Sequence, residues 1–207
     1  MRPSSPHAPP KRLVIATGNP GKLREFQALL GGLAFLAVSQ ASLGVTAPEE
    51  TGSTFLANAL LKARHAAEAT GEAAIADDSG LEVAALGGAP GVYSARYAGP
   101  GADDAANNAK LLQALRGVPS AQRHARYRCV LIYVDGPGDR APIHAEGSWD
   151  GVIVDVPRGA GGFGYDPHFW LPDLGMTAAE LDPAEKNRLS HRGRALRELR
   201  ARLEERG

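Results

Sequence analysis

The sequence predicts an α/β fold, a mixed central β-sheet flanked by helices, and two observations carry that prediction. Short apolar runs at residues 13–16, 34–38 and 73–81 alternate with segments of helical spacing, the order expected of parallel βαβ units. Residues 123–156 alternate apolar and polar side chains instead. Turn formers at 135–140 and at Trp149-Asp150 break that stretch, which reads as an antiparallel meander of three strands near 123–135, 143–146 and 151–156. At 207 residues the chain is long enough for one substantial core, so a single domain is expected over 12–207 behind a disordered, Pro-rich tail at 1–11.

Composition removes several function classes. Lys plus Arg and Asp plus Glu are equal at 23 each, so no global field recruits a nucleic acid polymer or an anionic membrane, and any anion site must be local. The one cysteine, Cys129, lies in an apolar run and reads as a small buried hydrophobe; with no disulfide framework, no membrane span and no signal peptide, a cytoplasmic location is expected.

In chain order, the first strand runs into Thr17-Gly18-Asn19-Pro20-Gly21-Lys22 and then a helix with Leu23, Phe26, Leu29 and Leu30 as its apolar positions. A glycine loop before a helix aims free backbone N–H groups and a positive helix end at a ligand, and phosphate suits both, with Lys22 adding a mobile charge. It is not a Walker A loop, because Gly18 and Lys22 are too close and Leu23 stands where a Ser or Thr should hold magnesium. A second strand leads to Glu49-Glu50-Thr51-Gly52-Ser53 and a helix over 54–69, with Ser53 as N-cap, Leu56, Leu60 and Ala63 facing the core, Phe55, Ala59 and Ala66 flanking them, and Lys62 on the polar face. Either acid could serve as a cation ligand or simply complement the helix dipole.

The run Ala73-Ala74-Ile75-Ala76-Asp77-Asp78-Ser79-Gly80-Leu81 places two carboxylates at the end of a buried strand, where open α/β sheets bind their ligands. Side chains alternate along a strand, so one aspartate faces a site and the other supports it. A helix over 103–115 shows spacing at Ala105, Ala109, Leu112 and Leu115, with Asp103 or Asp104 at its start. In Phe163-Gly164-Tyr165-Asp166-Pro167 two aromatics flank a residue without a side chain, which suits a planar ring sliding in to stack. Asp182-Pro183-Ala184-Glu185 is a helix start, and Lys186, His191 and Arg192 offer donors ahead of a last helix with Leu196, Leu199 and Leu203 inward.

Taken together and in order, Ala16-Thr17-Gly18-Asn19-Pro20-Gly21-Lys22, Glu49-Glu50-Thr51-Gly52, Ala76-Asp77-Asp78-Ser79-Gly80-Leu81, residues 88–97, Gly162-Phe163-Gly164-Tyr165-Asp166-Pro167 and Ser190-His191-Arg192-Gly193 closely resemble the Ham1-like inosine/xanthosine triphosphate pyrophosphatases. The resemblance spans all but the tail. It implies magnesium-dependent hydrolysis of non-standard purine nucleoside triphosphates (ITP, dITP, XTP) to monophosphate and pyrophosphate, by a homodimer with its cleft between two α/β lobes. It also implies that Thr17 through Lys22 bind the triphosphate, that Asp78 is the catalytic base, and that Asp78 with Glu49 holds the metal. Ser79 is placed against phosphate or sugar, and Phe163, Gly164, Tyr165, Asp166, Lys186, His191 and Arg192 around the nucleobase. An aspartate beside a cation is expected to stay ionised and weakly basic. Two rival readings are a Maf-like pyrophosphatase for pyrimidine or modified nucleotides and a module that binds nucleotides without cleaving them.

Overall fold

The computed structural model describes residues 11–30 and 35–206. The tail expected at 1–11 falls outside them up to residue 10, as does Ala34, the expected start of the second strand. Lys11 already belongs to β1 (Lys11–Ala16), which is followed by α1 (Pro20–Leu30), β2 (Phe35–Ser39), α2 (Phe55–Thr70), β3 (Ala73–Val83), α3 (Asp104–Ala114), β4 (His124–Val134), β5 (Ile143–Ile153), β6 (Phe169–Leu171), β7 (Met176–Thr177), α4 (Pro183–Leu189) and α5 (His191–Arg206). The strands form one sheet in the order β2-β1-β3-β4-β5-β6-β7. β1 runs parallel to both β2 and β3, and every later pairing is antiparallel, so the sheet is mixed as predicted.

Alternation assigns each side chain to a layer. Leu13, Ile15, Ile75, Leu131 and Tyr133 face α1 and α5, burying Phe26, Leu196 and Leu199. Val14, Ala16, Ala74, Ala76, Val130 and Ile132 face α2, which meets them with Phe55, Ala59, Ala63, Ala66 and Ala67. A third cluster gathers Leu81, Leu111, Leu115, Tyr127, Trp149, Ile153 and Phe169 beneath α3.

Four expectations change. β5 is one unbroken strand where two were expected, because Trp149 is buried and paired with Tyr127 across the ladder, so its side chain overrides the local turn signal. The cap of α2 is Thr54, whose hydroxyl accepts from the Ala57 amide, and not Ser53. The buried stripe of α2 is Phe55, Asn58, Ala59, Lys62, Ala63, Ala66 and Ala67, while Leu56 is exposed and Leu60 only partly buried, so Lys62 belongs to the inner face. On α3 the buried positions are Asn107 and Leu111, followed by Leu115; Ala105 and Ala109 are exposed.

Candidate active site

The aspartate pair lies in the middle of β3, not at its end. β1 stops pairing at Ala16 opposite Ala76, and β3 continues seven residues further against β4, leaving Asp77 and Asp78 just beyond the tip of a shorter parallel neighbour. Their side chains part to opposite faces. Asp78 turns to α2, where its Oδ1 accepts from Lys62 Nζ at 2.9 Å and its Oδ2 from Asn58 Nδ2 at 3.1 Å. Asp77 turns to α5 and accepts from Arg192 Nε at 3.1 Å and from the Cys129 thiol at 3.2 Å, with Lys22 Nζ in contact.

The electrostatics of the two differ accordingly. Burial alone would raise Asp77, but Arg192, Lys22 and Lys62 more than offset it and hold the carboxyl well below its ordinary value. For Asp78 burial pushes upward, Lys62 and Lys22 pull downward, Glu50 pushes upward again, and the balance lies above the ordinary value. Without a cation, burial and the neighbouring Glu50 thus leave the Asp78 carboxyl above its ordinary value; the weak basicity expected of Asp78 belongs to the metal-bound state. Lys62 is itself held cationic, since Asp78 and Glu50 outweigh the burial that opposes its charge.

Of the two acids ahead of α2, Glu50 faces the site and Glu49 is exposed. Glu50 Oε1 accepts from Lys62 Nζ at 2.6 Å and Oε2 from Arg96 Nη1 at 3.0 Å. One ammonium therefore bridges Glu50 and Asp78. The glycine loop departs from expectation too. Asn19 Oδ1 caps α1, accepting from the amides of Gly21 at 2.8 Å and Lys22 at 3.1 Å, and Pro20 has no N–H, so the first-turn donors are not free. The loop's contribution is Asn19 and Lys22, both at the cavity wall. Gly21 has another use, because a Cβ there would stand 2.6 Å from the Phe163 ring.

The remaining predicted residues converge from the chain's second half. Asp166 accepts from Lys186 Nζ at 2.6 Å, Tyr127 Oη at 3.2 Å and the Phe163 amide at 2.9 Å. Lys186 also meets Glu25 Oε1 at 2.8 Å, and Glu25 in turn contacts Arg192 Nη1, while Arg192 Nη2 donates to Ser79 Oγ at 2.9 Å. Lys186 Nζ stands 4.6 Å from the Phe163 ring centre. His191 stacks on Tyr127 at 4.7 Å, and burial together with Arg192 pushes its pKa well below the ordinary value, so the ring is neutral at physiological pH. Its Nδ1 has no partner among the described residues.

These groups share a cavity of about 280 Å³ lined by Asn19, Lys22, Asp78, Ser79, Phe163, Gly164, Tyr165, Asp166, Lys186, His191 and Arg192, with Glu50 and Tyr127. Thr17, Gly18, Pro20, Gly21 and Glu49 do not line it. Gly80 closes one wall: a Cβ would stand 2.3 Å from the Gly91 carbonyl oxygen and 2.5 Å from Ser94 Oγ. Lys62, Asn58 and Glu25 were not foreseen. Asn58 and Lys62 fall on the buried stripe once Phe55 and the alanines, not the leucines, set the phase of α2. Glu25 lies three residues from Lys22, on the same side of α1.

With that geometry in view, comparison with known proteins is decisive. The sequence model of the Ham1 family matches residues 13–202. The chain belongs to the Ham1 family. Among its relatives, the dITP/XTP pyrophosphatase of Thioalkalivibrio sulfidiphilus is 58% identical over 193 residues, covering 93% of this chain and 98% of that protein. That of Pectobacterium atrosepticum is 57% identical, covering 91% and 96%. The Ham1 protein of Coxiella burnetii superposes with a TM-score of 0.86 at 49% identity, covering 94% of this chain and 99% of that one. The Ham1 protein of Staphylococcus aureus gives 0.83 at 42%, covering 95% and 100%. No helix of this Ham1 chain, among the described residues, is long and apolar enough to cross a membrane.

Proposed function

We propose that this chain hydrolyses dITP and XTP, and ITP with them, to the nucleoside monophosphate and pyrophosphate. The observation that carries the reading is a single cavity in which Asp78, Glu50 and Lys22, the two acids backed by the buried Lys62, meet an aromatic, donor-lined end made by Phe163, Tyr127, Lys186 and His191. Relatives more than half identical over nine-tenths of the chain carry the name of that activity. The cavity reads as the cleft between two lobes, and the assembly as a cytoplasmic homodimer; sedimentation of the pure protein as a single 21.7 kDa species would remove the dimer.

The family is consistent with a divalent cation, and the donor set fits magnesium. Glu50 and Asp78 already converge on one positive charge at Lys62, and both offer hard oxygens. The described residues contain no group of three or more metal-binding side chains. Magnesium suits such a site, since it keeps several waters and takes one or two carboxylates plus substrate phosphates. We assign its protein ligands as Asp78 and Glu50, the latter in place of the exposed Glu49. When bound, the ion supplies charge that offsets the phosphate oxygens and acidifies water.

The protein's own groups do the rest. Asp78 accepts the proton of the water attacking the α-phosphorus. Lys22 offsets the negative charge of the triphosphate, Lys62 balances Asp78 and Glu50 from behind the cavity wall, and Asn19 and Ser79 add polar contacts. Phe163 stacks on the nucleobase, while Lys186 and the neutral His191 present donors toward it. Hypoxanthine and xanthine carry an acceptor oxygen at C6 where adenine carries an amino group, so fixed donors there favour the former and leave adenine with unpaired groups.

The test is a magnesium-dependent assay of the purified protein with dITP, XTP, ITP, ATP, dTTP and UTP, separating pyrophosphate from orthophosphate. Turnover of dITP, XTP and ITP in preference to ATP, dTTP and UTP, releasing pyrophosphate, is expected. Preference for dTTP or UTP, release of orthophosphate, or binding without turnover would each overturn the proposal.

A further inference from the structure

The aromatic loop over the cavity is held by α3, whose Asp104 and Asn107 line the same cavity. The Gly164 amide donates to Asp104 Oδ2 at 2.6 Å, and the Gly164 carbonyl accepts from Asn108 Nδ2 at 2.8 Å. Both backbone polar groups of one residue are thus taken by two side chains four positions apart, on the same face of the helix. Asn108 Nδ2 sends its other hydrogen to the Asp104 carbonyl at 2.8 Å, which fixes the direction of the amide. Gly164 sits at φ +64°, a left-handed conformation that favours glycine, so the residue between the two aromatics combines a free pivot with two external restraints.

The restraint reaches the site on both sides of that pivot. Phe163 leads away from it to lie against Gly21 and Lys186, and Tyr165 Oη donates to the Ser94 carbonyl at 2.7 Å. The same helix holds the facing wall. Asn107 Oδ1 accepts from the Ala98 amide at 2.8 Å, and its Nδ2 donates to the Ala95 carbonyl at 3.2 Å. α3 is therefore a tie between segment 95–98 and the loop around Gly164, anchored below by Leu111 and Leu115, both fully buried. Asp104 is superfluous as a helix cap, since Asp103 already accepts from the Ala106 amide.

We propose that Asp104 and Asn108 are positioning residues, a two-point latch on Gly164 that sets where Phe163 stands over the nucleobase and so governs nucleotide affinity and base choice. The identity of the base rests on the function proposed above; the latch itself rests on the two hydrogen bonds.

The experiment compares wild type with Asp104→Ala, Asp104→Asn and Asn108→Ala. It measures kcat and KM for dITP and ATP, the thermal midpoint, and hydrogen exchange at the Gly164 amide. Asp104→Ala, which removes a charge-assisted bond, is expected to raise KM for dITP about tenfold while kcat stays within about twofold, and to narrow the margin over ATP. Asn108→Ala is expected to raise KM about threefold. Asp104→Asn keeps an acceptor for the Gly164 amide and is expected to restore KM to within about threefold of wild type. A role limited to the helix dipole predicts the reverse, since Asn lacks the charge. Gly164 exchange is expected to quicken about tenfold or more in Asp104→Ala. Unchanged KM in Asp104→Ala, a fall in kcat alone, or unchanged Gly164 exchange would overturn the latch. A wild-type protein inert toward dITP would remove the substrate reading instead, and the exchange measurement would still decide whether the latch exists.

Discussion

Asp77→Asn probes the buried charge network without changing the shape of the side chain. In the wild type the carboxylate is 1% exposed, bonded to Arg192 Nε at 3.1 Å and to the Cys129 thiol, and in contact with Lys22. Arg192 is also 1% exposed. Removing one partner of such a pair strands the other, which costs about 3–5 kcal/mol. Arg192 retains Glu25, so the lower end, about 3 kcal/mol, is expected. With a urea m-value of about 2 kcal/mol/M, that is a fall of about 1.5 M in the unfolding midpoint. The carboxyl is held below its ordinary value of 3.8, so the unfolded chain binds a proton at Asp77 before the folded one does. Its stabilisation is therefore complete above pH 3.8 and is lost as the pH falls toward the depressed folded value. The gap between wild type and Asp77→Asn should accordingly be constant near neutrality and shrink in acid. Urea titrations across pH 2 to 8, in about six steps, read both quantities. A midpoint change below about 0.3 M at pH 7, or a gap that widens in acid, would refute the account.

Four other outcomes follow from the site. Asp78→Asn should lower kcat by at least about 10²-fold while preserving the far-ultraviolet circular dichroism, because the amide keeps the shape of the side chain and Lys62 retains Glu50 as a partner; near-normal turnover would remove it as the base. Lys62→Met takes away the cation between Asp78 and Glu50, so the acid limb of the pH profile of kcat/KM, set by Asp78, should move to higher pH; an unmoved limb would show that Asp78 does not control it. Lys22→Ala should chiefly raise KM, by about tenfold, and isothermal titration with a non-hydrolysable triphosphate would reveal whether affinity is what is lost. Chelation of divalent cations should abolish turnover and magnesium restore it, with activity in excess chelator as the contrary result.

What was legible in the sequence follows the range of the forces involved. The mixed sheet could be read because apolar alternation is local, and so could the division of Asp77 from Asp78, which needs only the period of a strand. The caps at Asp103 and Asp182 lie within a few residues of the amides they bind. Lys62 escaped notice because Leu56 and Leu60 suggested the wrong phase for α2, whereas small alanines let that helix approach the sheet and left Leu56 exposed and Leu60 at the margin of the core. Glu25 was missed because its partners, Lys186 and Arg192, lie more than 160 residues away. The capping within the glycine loop was missed for the opposite reason: Asn19, two residues from Gly21, satisfies amides that the pattern alone leaves open. The break expected at Trp149-Asp150 failed because burial of Trp149 against Phe169, 5.6 Å between ring centres, holds β5 straight.

The ladder between β3 and β4 pairs ten consecutive residues, from Ala74 with Val134 to Val83 with Ala125. Because adjacent side chains leave the sheet on opposite sides, inserting or deleting one residue ahead of Asp77 would trade the two carboxylates across the sheet. The acid now beside Lys62 would then meet Arg192, and the acid now beside Arg192 would meet Lys62. Substitution can therefore alter either acid individually, whereas a change of length in this strand alters both together. The length of β3 upstream of the pair is under a constraint of parity, independent of which residues fill it.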